Sequence, residues 1–347
     1  MRYVGGDLQQ ALMARVRGVD PQRCLVVPVD VGKWSAKALV ADHHGEVVVD
    51  AFEFALDEPG VSALIAAVGG ADASRCAVVC RVGVESAGHY HRTLVARLRA
   101  GGLDVVELNP AAVKQARAQQ LLRRLKTDER DLGAMAELLI RGAGRPPRVR
   151  DEAMAAQAAW VAHRRRKVAA HVALANQVQG QLDLVFPGLS ACFDGILRTK
   201  AGRVIVREVP DPDRMRRLGV DGLRRFVARR GVILRRAKAE QLITASRVAL
   251  RLPVAERVAL GVLLSADVAL LDALDAEIDR AESALGDVLE STPARVLRSL
   301  PGVGIVRASA YGAAIGDPSR FSNAAAAYRA SGLVPAEYAS AGRRRSG

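Results

Sequence analysis

Between Cys24 and Val40 the chain reads CLVVPVDVGKWSAKALV, two apolar and β-branched stretches on either side of a Val-Gly-Lys turn, with one carboxylate, Asp30, closing the first. A third such stretch, Glu46 to Phe54, follows the polar turn His43-His44-Gly45. This pattern predicts a three-strand meander whose first strand is central to a sheet. A carboxylate at the end of an apolar strand is costly without a partner, and the usual partner is a cation. The question the sequence poses is whether it supplies further acids to meet Asp30.

The next segments predict a helix from Glu58 to Val68, entered through Pro59, and an apolar strand from Cys76 to Val84 that ends in Glu85. A helix from His89 to Ala100 and a strand from Leu103 to Leu108, stopped by Asn109-Pro110, complete a mixed sheet with helices on its faces. Asp30 and Glu85 then stand at the C-terminal ends of neighbouring strands. A further helix beginning near Ala111 carries Lys126-Thr127-Asp128-Glu129-Arg130-Asp131, and the three-residue spacing puts Asp128 and Asp131 on one face, away from Glu129. Asp30, Glu85, Asp128 and Asp131 form a candidate cluster of hard oxygen ligands suited to divalent cations, and such sites serve in-line displacement at phosphorus. Taken singly, each acid has a plainer use, as a surface ion pair or a helix cap. Asp42, Glu46, Asp50 and Glu53 are expected to be solvated.

Charge points the same way. The chain carries 51 Lys and Arg against 37 Asp and Glu, a formal +14 with a pI near 10.3, which favours a polyanionic partner, above all nucleic acid. An Arg-rich set of solvated faces is the plain alternative. In 347 residues that are 50% hydrophobic there is material for a large aliphatic core and two or three domains. Cys24, Cys76, Cys80 and Cys192 form no CxxC pair and are expected to be reduced core residues. With no signal-peptide pattern and no apolar run of ~20 residues, the expectation is a cytoplasmic protein without a membrane partner.

Residues 142–150 form a Gly/Pro/Arg linker, and residues 152–184 follow with long helical periodicity that includes His163-Arg164-Arg165-Arg166-Lys167. Lys33, Arg164, Arg165, Arg166 and Lys167 are candidate phosphate contacts. Residues 190–252 are helical and Arg-rich. Leu271, Leu274, Ile278, Ala281, Leu285 and Val288 then step by three and four as a heptad seam, fit to pack within the chain or against a second copy. Leu300-Pro301-Gly302-Val303-Gly304 predicts a helix-hairpin-helix-like turn in which Gly302 and Gly304 offer backbone N–H groups to a phosphate. Ser340, followed by Arg343, Arg344 and Arg345, has the composition of a hydroxyl nucleophile beside phosphate clamps.

Asp30 in VDVGK, Glu85 in VESAG, Asn109-Pro110, and Asp128 with Asp131 in KTDERDLGAMAELL resemble the N-terminal RuvC-like DEDD domain of a class of bacterial insertion-sequence transposases. LPGVG, GDPSRFSN and SGLVPAEYASAG resemble the C-terminal serine-bearing domain of the same family. The resemblance implies an α/β, RNase H/RuvC-like mixed sheet with flanking helices in residues 23–145 after a leader of residues 1–22. It further implies a helical, coiled-coil spacer in residues 146–290 and a small, mostly helical serine domain in residues 291–347. It implies a DNA transposase and recombinase that holds Mg2+ on Asp30, Glu85, Asp128 and Asp131 and attacks DNA with Ser340, Ser331 being the poorer candidate. Partners implied are the DNA of the element ends and target, a structured guide RNA, and further copies of the chain as a homo-oligomer. The family continues past the serine with a basic tail and has glycine where Ala341 stands, so the serine domain is expected to be incomplete. A RuvC-like structure-specific endonuclease and a non-catalytic, nucleic-acid-binding remnant are the alternative readings. An actin-like sugar kinase is disfavoured, since no second phosphate loop follows in order.

Overall fold

The computed structural model describes residues 14–86, 88–120, 128–147, 151–330, 337–340 and 343–346; for 119, 120, 128–130, 320, 330 and the last two segments it describes the backbone alone. The chain divides into two compact units, Met1–Arg148 and Val149–Gly347.

The first unit is a mixed α/β layer structure. Its elements are β1 (Cys24–Val31), β2 (Ser35–Asp42), β3 (Val47–Ala55), α1 (Glu58–Arg75), β4 (Val79–Glu85), α2 (His91–Ala100), β5 (Asp104–Leu108), α3 (Pro110–Gln120) and α4 (Asp128–Ile140). The five strands lie in the order β3-β2-β1-β4-β5, so β1 is central, antiparallel to β2 and parallel to β4. Strand alternation sorts the side chains onto two faces. Leu25, Val27, Val29 and Val31 join Leu64, Val68, Leu94 and Leu98 of α1 and α2 in one core, whereas Val26 joins Val113 of α3 and Leu132, Met135 and Leu139 of α4 in the other.

Several local expectations are corrected. Cys76 is not in a strand: it closes α1 in the left-handed region at φ 46°, is exposed, and leaves β4 to begin at Val79. Asp42 is fully buried, because its carboxylate accepts from the backbone N–H of His44 at 2.8 Å and of Glu46 at 3.0 Å and so closes the β2–β3 turn. Glu53 is exposed, as expected, and accepts a hydrogen bond from Ser35 Oγ on the adjacent strand. The acids Asp128 and Asp131 open their own helix, α4, and Lys126 and Thr127 lie outside the described residues.

The second unit is built on two long helices, α5 (Glu152–Val185) and α9 (Val254–Glu290), with α6 (Lys200–Glu208), α7 (Pro212–Ala228) and α8 (Arg236–Val248) between them in sequence. After α9 come α10 (Ile305–Ile315), α11 (Ala324–Ala330) and the antiparallel pair β6 (Glu337–Ser340) and β7 (Arg343–Ser346). α5 and α9 pack side by side in opposite directions. Polar pairs set their register: His163 with Glu277 at 2.7 Å, Arg164 with Glu282 at 2.7 Å, His171 with Asp275 at 3.0 Å, and Gln177 with Asp267 at 3.0 Å. The heptad seam is used within the chain, for Leu271, Ala281 and Leu285 are fully buried by the chain's own helices. Toward one end Val178, Leu182, Leu264 and Val268 share a core with α6, α7 and α8, and toward the other Leu289 packs with Ala294 and Ala308. Among the described residues no helix is long and apolar enough to cross a membrane.

α4 comes so close to the sheet that only glycine fits at position 83 of β4: a Cβ there would stand 2.5 Å from Leu139 Cδ2, and Leu139 is itself fully buried. Gly83→Val is therefore expected to destabilise the chain by about 1–3 kcal/mol, read as a lowered urea midpoint.

Candidate active site

The parity of β1 decides where Asp30 faces. Val26 packs toward α4, and Asp30 is four residues on, so it shares that face. On β4 the same reasoning puts Glu85 on the face of Gly83, which α4 contacts. The two strands are parallel and in register at Val29 and Val84, so Asp30 and Glu85 are the next residues out on adjacent strands. Asp131, in the first turn of α4, is buried at 4% exposure above this edge. The backbone of Asp128 lies one turn earlier, with its side chain outside the described residues.

Electrostatics tie these groups together. Burial pushes the Glu85 carboxyl above the usual range, the charges of Asp30 and then Asp131 add to the rise, and Arg117 opposes it. Arg117, on α3, stands with Nε 2.5 Å from Asp131 Oδ1 and so brings a guanidinium counter-charge to the acids. Sequence reasoning missed it: nothing in its own surroundings marks Arg117, and the only signal was that a buried Asp131 demands a cation. Trp34 was also missed. It is 76% exposed in the turn after Asp30, with Lys33 Nζ 4.7 Å from its ring centre. Gly32 allows that turn, since a Cβ would come within 2.8 Å of the Ser35 carbonyl oxygen.

Among the described residues no three acidic, histidine or cysteine groups already converge as an ion cage. The donor set nevertheless fits a hard divalent cation in kind: it is all-oxygen, and the charges of Asp30 and Asp131 add to the rise that burial gives Glu85.

The other sequence-predicted residues lie elsewhere in the fold. Asn109 is the cap of α3, its side-chain oxygen accepting from Ala111 N–H at 2.9 Å. Of the basic run on α5, Arg164 is committed to Glu282, Arg165 and Arg166 are exposed, and Lys167 is half-buried. Gly302 adopts φ +77° and Gly304 caps α10 from an extended conformation, leaving that N-terminus without a side-chain cap, while Arg307 Nη1 donates to the Gly302 carbonyl at 2.6 Å. Ser340 pairs across the hairpin with Arg343, and Ala339 and Tyr338 with Arg344 and Arg345. Ser331 lies outside the described residues.

Two family models match this chain. A DEDD transposase model of the IS110 type takes in residues 27–187, which carry all four acids, and the model described as "Transposase IS116/IS110/IS902 family" takes in residues 294–347. The chain belongs to the IS110 family of transposases. It is similar to the mini-circle putative transposase for IS117 of Streptomyces coelicolor, with 31% identity over 264 residues, 72% of this chain and 63% of that protein. The chain therefore spans less than two-thirds of the length of that relative. A solved exopolyphosphatase from Cytophaga hutchinsonii aligns at 12% identity over 73% of this chain and 98% of its own, but with a TM-score of 0.21 it says nothing about this fold. For an IS110-family chain, a mixed sheet with acids at its strand ends is the architecture of a DEDD, RNase H-like domain.

A carboxyl held above its usual range binds its proton in the folded chain at pH values where the unfolded chain has already lost it. Folding stability from Glu85 is thus greatest in acid and falls as pH rises from the ordinary carboxylate range through the raised value. Urea unfolding without added metal should show that decline in the wild type as pH rises above the ordinary carboxylate range, and a flatter profile for Glu85→Gln.

Proposed function

We propose that this chain is an insertion-sequence DNA transposase that cleaves and exchanges strands with a serine nucleophile and an acid-held divalent ion. The observation that carries the reading is the meeting of Asp30 and Glu85 at adjacent parallel strand ends with Asp131 of α4 above them. Asp30, Glu85, Asp131 and Asp128 would hold Mg2+, which when bound neutralises charge developing on a phosphodiester. Ser340 Oγ forms a bond to phosphorus as the bond to one deoxyribose oxygen breaks. The serine proton is given up, and the leaving oxygen takes one. The phosphodiester is thereby kept as a seryl phosphate, ready for the reverse attack by a different strand. Arg343, Arg344 and Arg345 clamp the phosphate charge, and Glu85 is suited to hold a proton, because burial and the charges of Asp30 and Asp131 raise its carboxyl above the usual range.

The nucleic-acid partners in this reading are the element ends, the target DNA and a structured guide RNA, with Lys33, Arg165, Arg166, Lys167 and the N-terminus of α10 beyond Gly302 and Gly304 as contacts. The chain acts in the cytoplasm as a homo-oligomer. Support for oligomerisation comes from the first half of α9, where Val254, Val258 and Val262 repeat every four residues at 61–66% exposure and Leu263 and Leu270 are half-exposed beside them.

Incubation with the element's end DNA, its flanking RNA and Mg2+ is expected to yield protein covalently joined to DNA on a denaturing gel. Ser340→Ala and Asp30→Ala should each abolish the adduct. Mg2+-dependent nicking that persists in Ser340→Ala would instead identify a RuvC-like endonuclease, and neither adduct nor nick would leave a nucleic-acid-binding remnant.

A further inference from the structure

Two sets of arginines stand out on α7, α8 and the connection between them. One set holds the helical hairpin together. Arg224 Nε donates to the Leu234 carbonyl at 3.4 Å, Arg230 pairs with Glu208 and lies 3.6 Å over the Phe226 ring, and Arg236 bridges Glu240 at 3.0 Å and Asp221 at 3.6 Å. These contacts also occupy Asp221 and Glu240, acids of the same surface. The other set has no such task. Arg217, Arg225, Arg229, Arg235 and Arg247 are exposed, and among the described residues none of their side chains has a hydrogen-bond or ion-pair partner.

Arg225 and Arg229 are one turn apart at the end of α7, and Arg235 caps the start of α8. Between Arg229 and Arg235 the connection turns at Gly231, φ +71°, buries Leu234 and leaves Ile233 90% exposed. An apolar side chain so exposed in the midst of unpaired guanidinium groups is the arrangement by which proteins wedge a base step while gripping the flanking phosphates. No aromatic ring is offered for stacking, because Phe226, the ring of this hairpin, is buried at 6% exposure beneath Arg230. Single-stranded nucleic acid, read by stacking, fits poorly.

We propose that the α7–α8 hairpin is a docking surface for double-stranded DNA, in which Arg225, Arg229 and Arg235 contact backbone phosphates and Ile233 presses into the groove between them. The surface uses residues of neither the acid cluster nor the serine segment, and it needs no metal.

The test is fluorescence anisotropy of the full chain with a labelled mixed-sequence duplex, in EDTA, across a salt series. Arg225→Gln with Arg229→Gln and Arg235→Gln should weaken binding at least about tenfold and lower the slope of log affinity against log salt by about three, roughly one per phosphate contact. The melting temperature should be unchanged, since these side chains hold nothing in place. The matching triple lysine variant should bind as the wild type does, and Arg229→Gln alone should lower the slope by about one, which keeps the test available should the triple glutamine variant fold poorly. Ile233→Ala should reduce duplex bending, read by end-to-end energy transfer, with the salt slope intact. Unchanged affinity and slope in the glutamine variants would overturn the proposal. So would a loss confined to a structured RNA probe with duplex binding intact, which would assign the surface to RNA. Duplex binding is read in EDTA and makes no use of the acid site, so failure of the acid site in cleavage and failure of the hairpin in binding are separately visible.

Discussion

The parallel pairing of β1 with β4 is the contact on which the first unit depends. It places a run of aliphatic residues at the centre of the sheet, buried on both faces, and it fixes which residues emerge together at the strand ends. A slip of one residue in either strand would turn Asp30 or Glu85 to the opposite face, into the aliphatic core beneath α1 and α2. The register is pinned by α4, whose close approach over Gly83 leaves no room for a different residue at that point. Packing on one side of the sheet thus sets the chemistry at its edge.

Three acids brought together in this way repel one another, and Arg117 supplies counter-charge among them. Arg117 pairs with Asp131 and lowers the Glu85 carboxyl against the combined push of burial, Asp30 and Asp131. Its opposition is incomplete, because Glu85 remains raised. Burial and neighbouring carboxylates together hold Glu85 up, and oxygen donors of this kind are those a hard divalent cation takes.

How much of this was legible in the sequence depended on the range of the interaction. Strand runs, turn residues and the punctuation at Gly101-Gly102 and Asn109-Pro110 are local signals, and they yield the sheet elements in order, with Asp30 and Glu85 at strand ends. Cys76 was misassigned because an apolar neighbourhood reads alike in a strand and at a helix end, and the left-handed closure of α1 leaves no mark on composition. Asp42 looked like any turn acid; its burial follows from two backbone N–H groups that point at it only once the β2–β3 turn has closed. The seam from Leu271 to Val288 was visible as a pattern, yet its partner was not, because α5 lies across a long sequence gap and offers histidine, arginine and glutamine rather than complementary heptads. Arg117 escaped for the same reason: ion pairs between helices are made by packing, and sequence spacing does not announce them.

The α5–α9 pair has a metric consequence. The core with α6, α7 and α8 forms around Leu182, while Gln157, near the other end of α5, meets Thr292 at 3.3 Å and lies under Gly312 of α10. From Gln157 to Leu182 the helix rises roughly 38 Å at about 1.5 Å per residue, against about 34–36 Å for one turn of duplex DNA. The arginine hairpin and the glycine turn before α10 are therefore kept apart by a rigid ruler whose graduation is the helical residue. Their spacing is written into the chain as a number of residues, so evolution could retune it only in steps, adding or removing matched turns in both helices at once.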